Sequence, residues 1–238
     1  MKSHQDLWLG LMIGNSRLHW AKFTGENLLE TWDSPYWDWA KIQGLNLPVT
    51  LASVVPEQTE VWQQYSHLQM LTLNQIPLKS LYPTLGIDRA LAVLGAGEQL
   101  GWPILLIDAG TALTLTGADE RQTLMGGAIL PGLKLQFATL NQQTAALPPV
   151  IVPDDLPQRW ANETTTAIQS GILYTILAGV RDFITAWLEQ FPDSQIALTG
   201  GDAEILKKCF GQYAPGIAAN MHLTPAAIFW GMGRLTDR

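Results

Sequence analysis

Two stretches of this chain share one rhythm: an apolar run, a glycine followed by a small polar residue, and a second apolar run. One is LGLMIGNSRLHWAKF at 9–23 and the other is ILLIDAGTALTLTG at 104–117. Short apolar runs on both sides of such a glycine read as two strands joined by a tight turn, so each half of the chain is expected to open on a hairpin. The elements after each hairpin repeat as well. In the first half, strands at 7–13, 17–23 and 28–33 precede a short helix in PYWDWAKI, a strand in PVTLASVV, a helix opening at Pro56 and a fifth strand in LQMLTL. A helix over 88–100 comes next and ends at Gly-Trp-Pro.

The second half begins with strands at 103–108 and 112–117, a turn in ADERQ and a strand through LMGGAIL. A helix opens at Pro131 and Gly132. Apolar residues then recur in steps of four over 167–188, which predicts one long helix whose Gly171 and Gly179 would allow close backbone approach. The strand QIALT, a GGD turn with Asp202 placed to cap, a helix ending near Phe210, and a last helix capped by Thr224 with Pro225 in its first turn complete the chain. The class is α/β, with each half reading as three strands followed by alternating helices and strands. A boundary at 101–103 sets the expected domains at 1–101 and 102–238.

Composition narrows the function. With 238 residues and 47% hydrophobic content there is material for one large or two small cores, and ten tryptophans scattered through apolar stretches suit core filling. A net charge of −7 with no basic run argues against nucleic acid as a partner. The single cysteine, Cys209, excludes an internal disulfide and a cysteine-rich zinc site. No apolar run reaches the roughly 18 residues of a membrane span, and the N-terminus lacks a small-residue cleavage site, so a cytoplasmic protein without membrane attachment is expected. The four histidines show no metal-ligand spacing.

Candidate chemistry gathers at the punctuated positions. A glycine turn between strands aims backbone N–H groups outward, and Gly14 with Asn15 and Gly110 with Thr111 could together hold a polyphosphate, although each turn alone could be a plain hairpin. Asp108 ends an apolar strand, where an acid needs a cation or hydrogen bonds; capping its own turn is the alternative. In GIDRA, Asp88 is either a helix cap or a base that accepts a hydroxyl proton while Arg89 binds an anion. MGGAILPG and LTGGDA could seat a phosphate or an adenosine edge, or serve only as turns. The chain has no GxxxxGK[ST], no kinase-type glycine loop with a partner lysine and no HExxH, so phosphoryl transfer here requires another architecture.

GIDR, DAGTALT, GGAILPG, TAALP, TTTAIQSGI and LTGGDA, in that order and over 9–230, resemble type III pantothenate kinase of the actin-like ATPase superfamily, which also includes acetate and sugar kinases. The resemblance implies two ribonuclease-H-like domains, each a mixed five-stranded sheet flanked by helices, with ATP and pantothenate between them. It also implies Mg²⁺ with ATP, a monovalent cation, K⁺ or NH₄⁺, and a homodimer. By the same resemblance Asp88 is the general base, while Tyr82, Gly86, Ile87, Arg89 and Thr164 contact pantothenate. Thr111 contacts ATP, and Asp108 binds the monovalent cation.

The family's first phosphate motif runs Asp-x-Gly-Asn-Thr-x-x-Lys. Its counterpart here is Met12, Ile13, Gly14, Asn15, Ser16, Arg17, Leu18 and His19, the expected ATP-binding run. The acid has become a thioether and the lysine an imidazole, and a thioether cannot orient hydrated Mg²⁺. Two readings are therefore open: a kinase that converts pantothenate to 4'-phosphopantothenate at the start of coenzyme A synthesis, or a catalytically weakened relative that binds pantothenate or nucleotide and acts through a partner.

Overall fold

The computed structural model describes residues 7–235, and the chain divides into two compact units. The first holds the chain up to Leu100, the Gln122–Leu124 tip and the stretch from Ala226 onward; the second holds Gly101–Arg121 and Met125–Pro225. Chain order alone would leave the last helix in the second half, whereas it belongs to the first unit. The reason is backbone packing. Helix α3 (Ile87–Leu100) and α8 (Ala227–Arg234) approach so closely that a Cβ on Gly95 would collide with the Ala227 carbonyl, and one on Gly231 with the Leu91 carbonyl.

Strands β1 (Leu7–Ile13), β2 (Leu18–Thr24), β3 (Asn27–Ser34), β4 (Val49–Ser53) and β5 (Leu68–Met70) form the first sheet, in the order β3-β2-β1-β4-β5. The first three run antiparallel, and β4 and β5 join in parallel. Strand β1 is almost wholly buried because both of its faces are covered. Leu9, Leu11 and Ile13 share a core with Trp20, Ile42 and Trp62, while Gly10 faces Phe23, Phe229 and Met232. The helix predicted in PYWDWAKI is α1 (Trp39–Gln43), which Asp38 caps by accepting the Lys41 N–H, and Pro56 opens α2 (Pro56–Trp62) as the sequence predicts.

The fifth strand is shorter than LQMLTL suggests. After Met70 the Thr72 N–H turns to the Gln75 side chain, a capping box that starts a short 3₁₀ turn and removes Thr72 from the ladder.

The second sheet repeats this plan in the order β8-β7-β6-β9-β10, built from β6 (Ile104–Ala109), β7 (Ala112–Ala118), β8 (Leu124–Pro131), β9 (Gln195–Thr199) and β10 (Met221–Leu223). Thus β6 and β7 are antiparallel, and β9 and β10 follow in parallel. Each unit therefore has the expected ribonuclease-H-like mixed sheet of five strands among the described residues. Strand β10 and the preceding α7 (Pro215–Ala219) escape a sequence reading, since three residues carry no period.

Helix α5 (Thr164–Gln190) runs 27 residues and buries Ile168, Ile172, Ile176, Val180 and Ile184 in the core of the second unit. By length and composition alone it could cross a membrane, but this stripe packs against β6, β7 and α6 (Ala203–Tyr213) residues such as Ile107, Leu115 and Leu206. The expectation for Gly171 and Gly179 does not hold. A Cβ on either would meet nothing within 4 Å, so no backbone of this chain, among the described residues, packs closely on them. Thr224 does not cap α8 either: its N–H and its hydroxyl both go to the Leu198 carbonyl, at 2.8 and 3.3 Å, tying the chain to the end of β9. The N-cap position falls to Ala226, whose methyl side chain has nothing to accept a hydrogen bond.

Candidate active site

In the first unit, Asp88 occupies the first turn of α3, where backbone N–H groups point out of the helix and a carboxylate is favoured. Its Oδ1 accepts the Arg89 N–H at 2.8 Å. A Cβ on Gly86 would overlap that same oxygen, so only glycine leaves the carboxylate in its place. Arg89 is buried, with 7% exposure, and its Nη1 donates to the Tyr82 hydroxyl at 3.1 Å. Tyr82, Gly86, Asp88 and Arg89 therefore form one constellation. Ile87 sits among them in sequence but turns its side chain into the interior, at 8% exposure. Beside it, Tyr82 lines a hollow of about 490 Å³ with Thr72, Asn74, Leu78 and Pro83.

The turn after β1 closes with the Gly14 N–H donating to the Arg17 carbonyl at 3.1 Å, and the Tyr36 hydroxyl donates to the Gly14 carbonyl at 2.6 Å. Of the residues the sequence assigns to ATP here, Met12, Ile13 and Leu18 are buried at 3%, 0% and 0% exposure, which leaves only their backbone for a ligand. Asn15, Ser16 and Arg17 are exposed, and His19 is partly so. Met12 lies directly across from His19, and His19 directly across from Asp33, so the three side chains form a row on one face of the sheet. Asp33 then binds both neighbours: Oδ1 is 2.7 Å from His19 Nδ1, and Oδ2 is 3.1 Å from Arg17 Nη1.

The turn after β6, in the second unit, is built differently. Asp108 is half-buried, and its carboxylate is pressed against Gly200, where a Cβ would stand 2.5 Å from Oδ1 and 2.6 Å from the Ala109 carbonyl. Gly200 also has φ +93°, a conformation that side chains disfavour. From the other side, the Gly132 N–H donates to the Thr111 carbonyl at 2.9 Å, and a Cβ on Gly132 would run into the Gly110 carbonyl. Neither Gly14 nor Gly110 has a positive φ. The positions that must be glycine are the partners that wrap the second turn.

Asp202 is at the N-cap of α6 without capping it. Its carboxylate, 8% exposed, pairs with Lys134 Nζ at 2.6 Å, and its N–H goes to the Ala109 carbonyl. Lys134 lies in the first turn of α4 (Leu133–Gln143), so this ion pair joins the starts of two helices beside the turn. Thr111 and Thr164 both have exposed side chains, and Thr164 is the first residue of α5. The segment before Thr164 is fastened to the unit: Ser170 Oγ donates to the Arg159 carbonyl, Tyr174 Oη donates to the Pro157 carbonyl, and Arg159 stacks over the Tyr174 ring at 4.1 Å. Lys208, 2.8 Å from Asp155, holds that carboxyl below the usual carboxylate range by hydrogen bonding and charge, and Asp155 in turn raises the Lys208 ammonium.

Sequence reasoning missed Asp33, Tyr36 and Lys134. No local signal marks them, because each reaches its partner across strands or between helices. The same residues test the implied metals. At the first turn a buried thioether stands where an oxygen ligand is needed, and both oxygens of Asp33 are already taken by Arg17 and His19; hydrated Mg²⁺ does not fit there. Among the described residues no three His, Cys, Asp or Glu side chains cluster as a metal site. At the second turn, a half-buried carboxylate among backbone oxygens has the hard-donor chemistry a monovalent cation takes.

Comparison with known proteins returns a consistent picture. The type III pantothenate kinase family model matches residues 8–186. A type III pantothenate kinase of Nostoc sp. (strain PCC 7120 / SAG 25.82 / UTEX 2576) is 48% identical, with 97% of this chain and 95% of the relative covered. Among solved structures, a candidate Baf family transcriptional activator from Campylobacter jejuni superposes with TM-score 0.69 at 20% identity, covering 95% of this chain and 96% of that one. MreB5 of Spiroplasma citri bound to ADP superposes with TM-score 0.52 at 10% identity, covering 97% and 96%. The last two speak to the fold, the actin-like one.

Proposed function

We propose a division of labour among these residues from one premise: the chain belongs to the type III pantothenate kinase family. It accordingly transfers a phosphoryl group from ATP to pantothenate, the step that yields 4'-phosphopantothenate for coenzyme A synthesis. ATP with a divalent metal is the donor that this family implies. The reading in which the chain only binds pantothenate or nucleotide, raised by Met12 and His19, gains no support from the relatives, which are pantothenate kinases.

The observation that carries the residue roles is the fixed Asp88 carboxylate, with Oδ1 held by the Arg89 N–H over a glycine that leaves it room. With one oxygen held by the backbone, the other accepts the proton of the pantothenate hydroxyl as that hydroxyl oxygen attacks the γ-phosphorus, and ADP departs with the bridging oxygen. Buried Arg89, its guanidinium oriented by Tyr82, binds the pantothenate carboxylate. Gly86, Ile87 through its backbone, and Thr164 are the further pantothenate contacts that family membership implies. The 14–17 turn and Thr111 hold the ATP phosphates through N–H and hydroxyl groups. Asp108 holds a monovalent cation, K⁺ or NH₄⁺, which would supply positive charge beside the phosphates.

We further infer a cytoplasmic homodimer. The α5 face of Thr175, Gly179 and Phe183 borders an apolar hollow of about 290 Å³ with Leu130 and Pro131, and a second copy would cover it. Sedimentation separates a dimer from a monomer.

A coupled ADP-release assay with and without pantothenate tests the activity, and K⁺ against Na⁺ tests the cation. Asp88→Asn is expected to lower kcat by about 10²–10⁴-fold while leaving the pantothenate KM within about twofold. Equal loss in both would remove the base role and leave Asp88 as a binding group.

A further inference from the structure

The row formed by Met12, His19 and Asp33 crosses three adjacent strands, and its acid stands two strands away from the position where the family's motif has one. Asp33 is bonded on both oxygens. Its Oδ1 is 2.7 Å from His19 Nδ1, and with a carboxylate at that nitrogen Nδ1 carries the hydrogen and donates it. The other ring nitrogen then faces the turn: a Cβ on Gly14 would be 3.2 Å from His19 Nε2. Oδ2 takes one N–H of Arg17, a residue of the turn itself, so the guanidinium is anchored at one nitrogen and keeps further donors for a second partner.

We propose that Asp33 is a positioning residue for the ATP phosphates, holding Arg17 and His19 at the mouth of the 14–17 turn so that this turn meets the triphosphate with a guanidinium and an imidazole fixed in place. The proposal deepens the kinase reading and rests on it. It accounts for three features together. Met12 is in the core at 3% exposure and offers no oxygen, so this turn has no acid of its own to orient a hydrated metal. The motif's lysine is replaced by a ring that needs a hydrogen-bond partner to fix its orientation, and Asp33 is that partner. Arg17 in the loop and His19 on β2 would be oriented independently without a shared acceptor, and Asp33 bridges both, one on each oxygen. A pair of surface ion pairs with no ligand-related role would instead be worth little and could be removed without consequence.

The test is nucleotide binding read apart from turnover, by calorimetry with a non-hydrolysable ATP analogue on the full chain. Asp33→Ala is expected to weaken the analogue about tenfold and raise the KM for ATP to match, with the pantothenate KM and the midpoint of thermal unfolding nearly unchanged. Asp33→Glu restores most of the loss. Combining Asp33→Ala with Arg17→Gln or His19→Gln is expected to cost no more than the worse single change, because the residues act as one unit. Unchanged analogue affinity in Asp33→Ala, or additive losses in the double variants, overturns the proposal. Should Asp33→Ala fail to fold, Asp33→Asn, which keeps the size and drops the charge, decides the matter by the same affinity measurement. A wild-type chain that binds the analogue but does not phosphorylate pantothenate would defeat the kinase reading while leaving the role of Asp33 measurable.

Discussion

The turn at Gly14 and the turn at Gly110 join equivalent strands in two sheets of the same order, yet their surroundings constrain them unequally. At Gly110 two other backbone segments close in. The Gly132 and Gly200 positions leave no room for a side chain against the turn, and the Asp108 carboxylate is pinned between strand end and loop. At Gly14 the nearest neighbour is the tip of a histidine ring, the loop between the strands is longer, and its stabilising contacts come from side chains, Tyr36 and Asp33. Backbone contacts cannot be exchanged one residue at a time, whereas side-chain contacts can. The sequence divides in the same way: DAGT matches the family pattern, while the first turn has Met12 and His19 in place of an acid and a lysine.

If this contrast is right, substitutions at the second turn should cost most. Gly200→Ala would place a Cβ against Asp108 and Ala109 at a positive φ, and we expect about 3 kcal/mol or more of lost stability together with lost activity. Gly14→Ala, whose Cβ need only displace the His19 ring by a few tenths of an ångström, is expected to cost about 1 kcal/mol or less. Denaturant midpoints measured side by side decide it, and similar losses at both sites would break the comparison.

Met12→Asp comes next. Placing a carboxylate in the core costs about 2 kcal/mol, and with His19 already held by Asp33 the ATP KM is not expected to improve. A large rise in kcat would mean instead that the missing acid limits the first turn.

The smallest effect tests how the second unit fastens the segment leading to Thr164. Because the Asp155 pKa is lowered by Lys208, the pair favours the folded state above the ordinary carboxylate range and loses that contribution as pH falls through the lowered value. Asp155→Asn should make the 144–163 segment slightly more sensitive to limited proteolysis at neutral pH, with the difference from wild type vanishing as the pH drops below about 4.

Much of the active constellation was legible locally. GIDR puts Asp88 in a helix's first turn beside Arg89, and spacing alone suffices for that because the contacts are between residues one to seven apart. Asp202 shows where local logic stops. Its position fits a helix cap, but a lysine on another helix captures its carboxylate. Thr224 likewise spends its donors on β9, and Thr72 ends β5 early because Gln75 can reach its N–H.

By itself the sequence determined the strand and helix order, the repeated plan of the two halves, the family, and the placement of Asp88 in a helix's first turn beside Arg89, since all of these follow from periodicity, turn chemistry and motifs read along the chain. Only the tertiary structure decided that α8 packs on α3, that the second turn leaves no room for a side chain at Gly132 or Gly200, and that Asp33 holds Arg17 and His19. These depend on which backbones come within contact distance and which residues face each other across a sheet, and such distances are set by the packing of the whole unit rather than by neighbours in the chain.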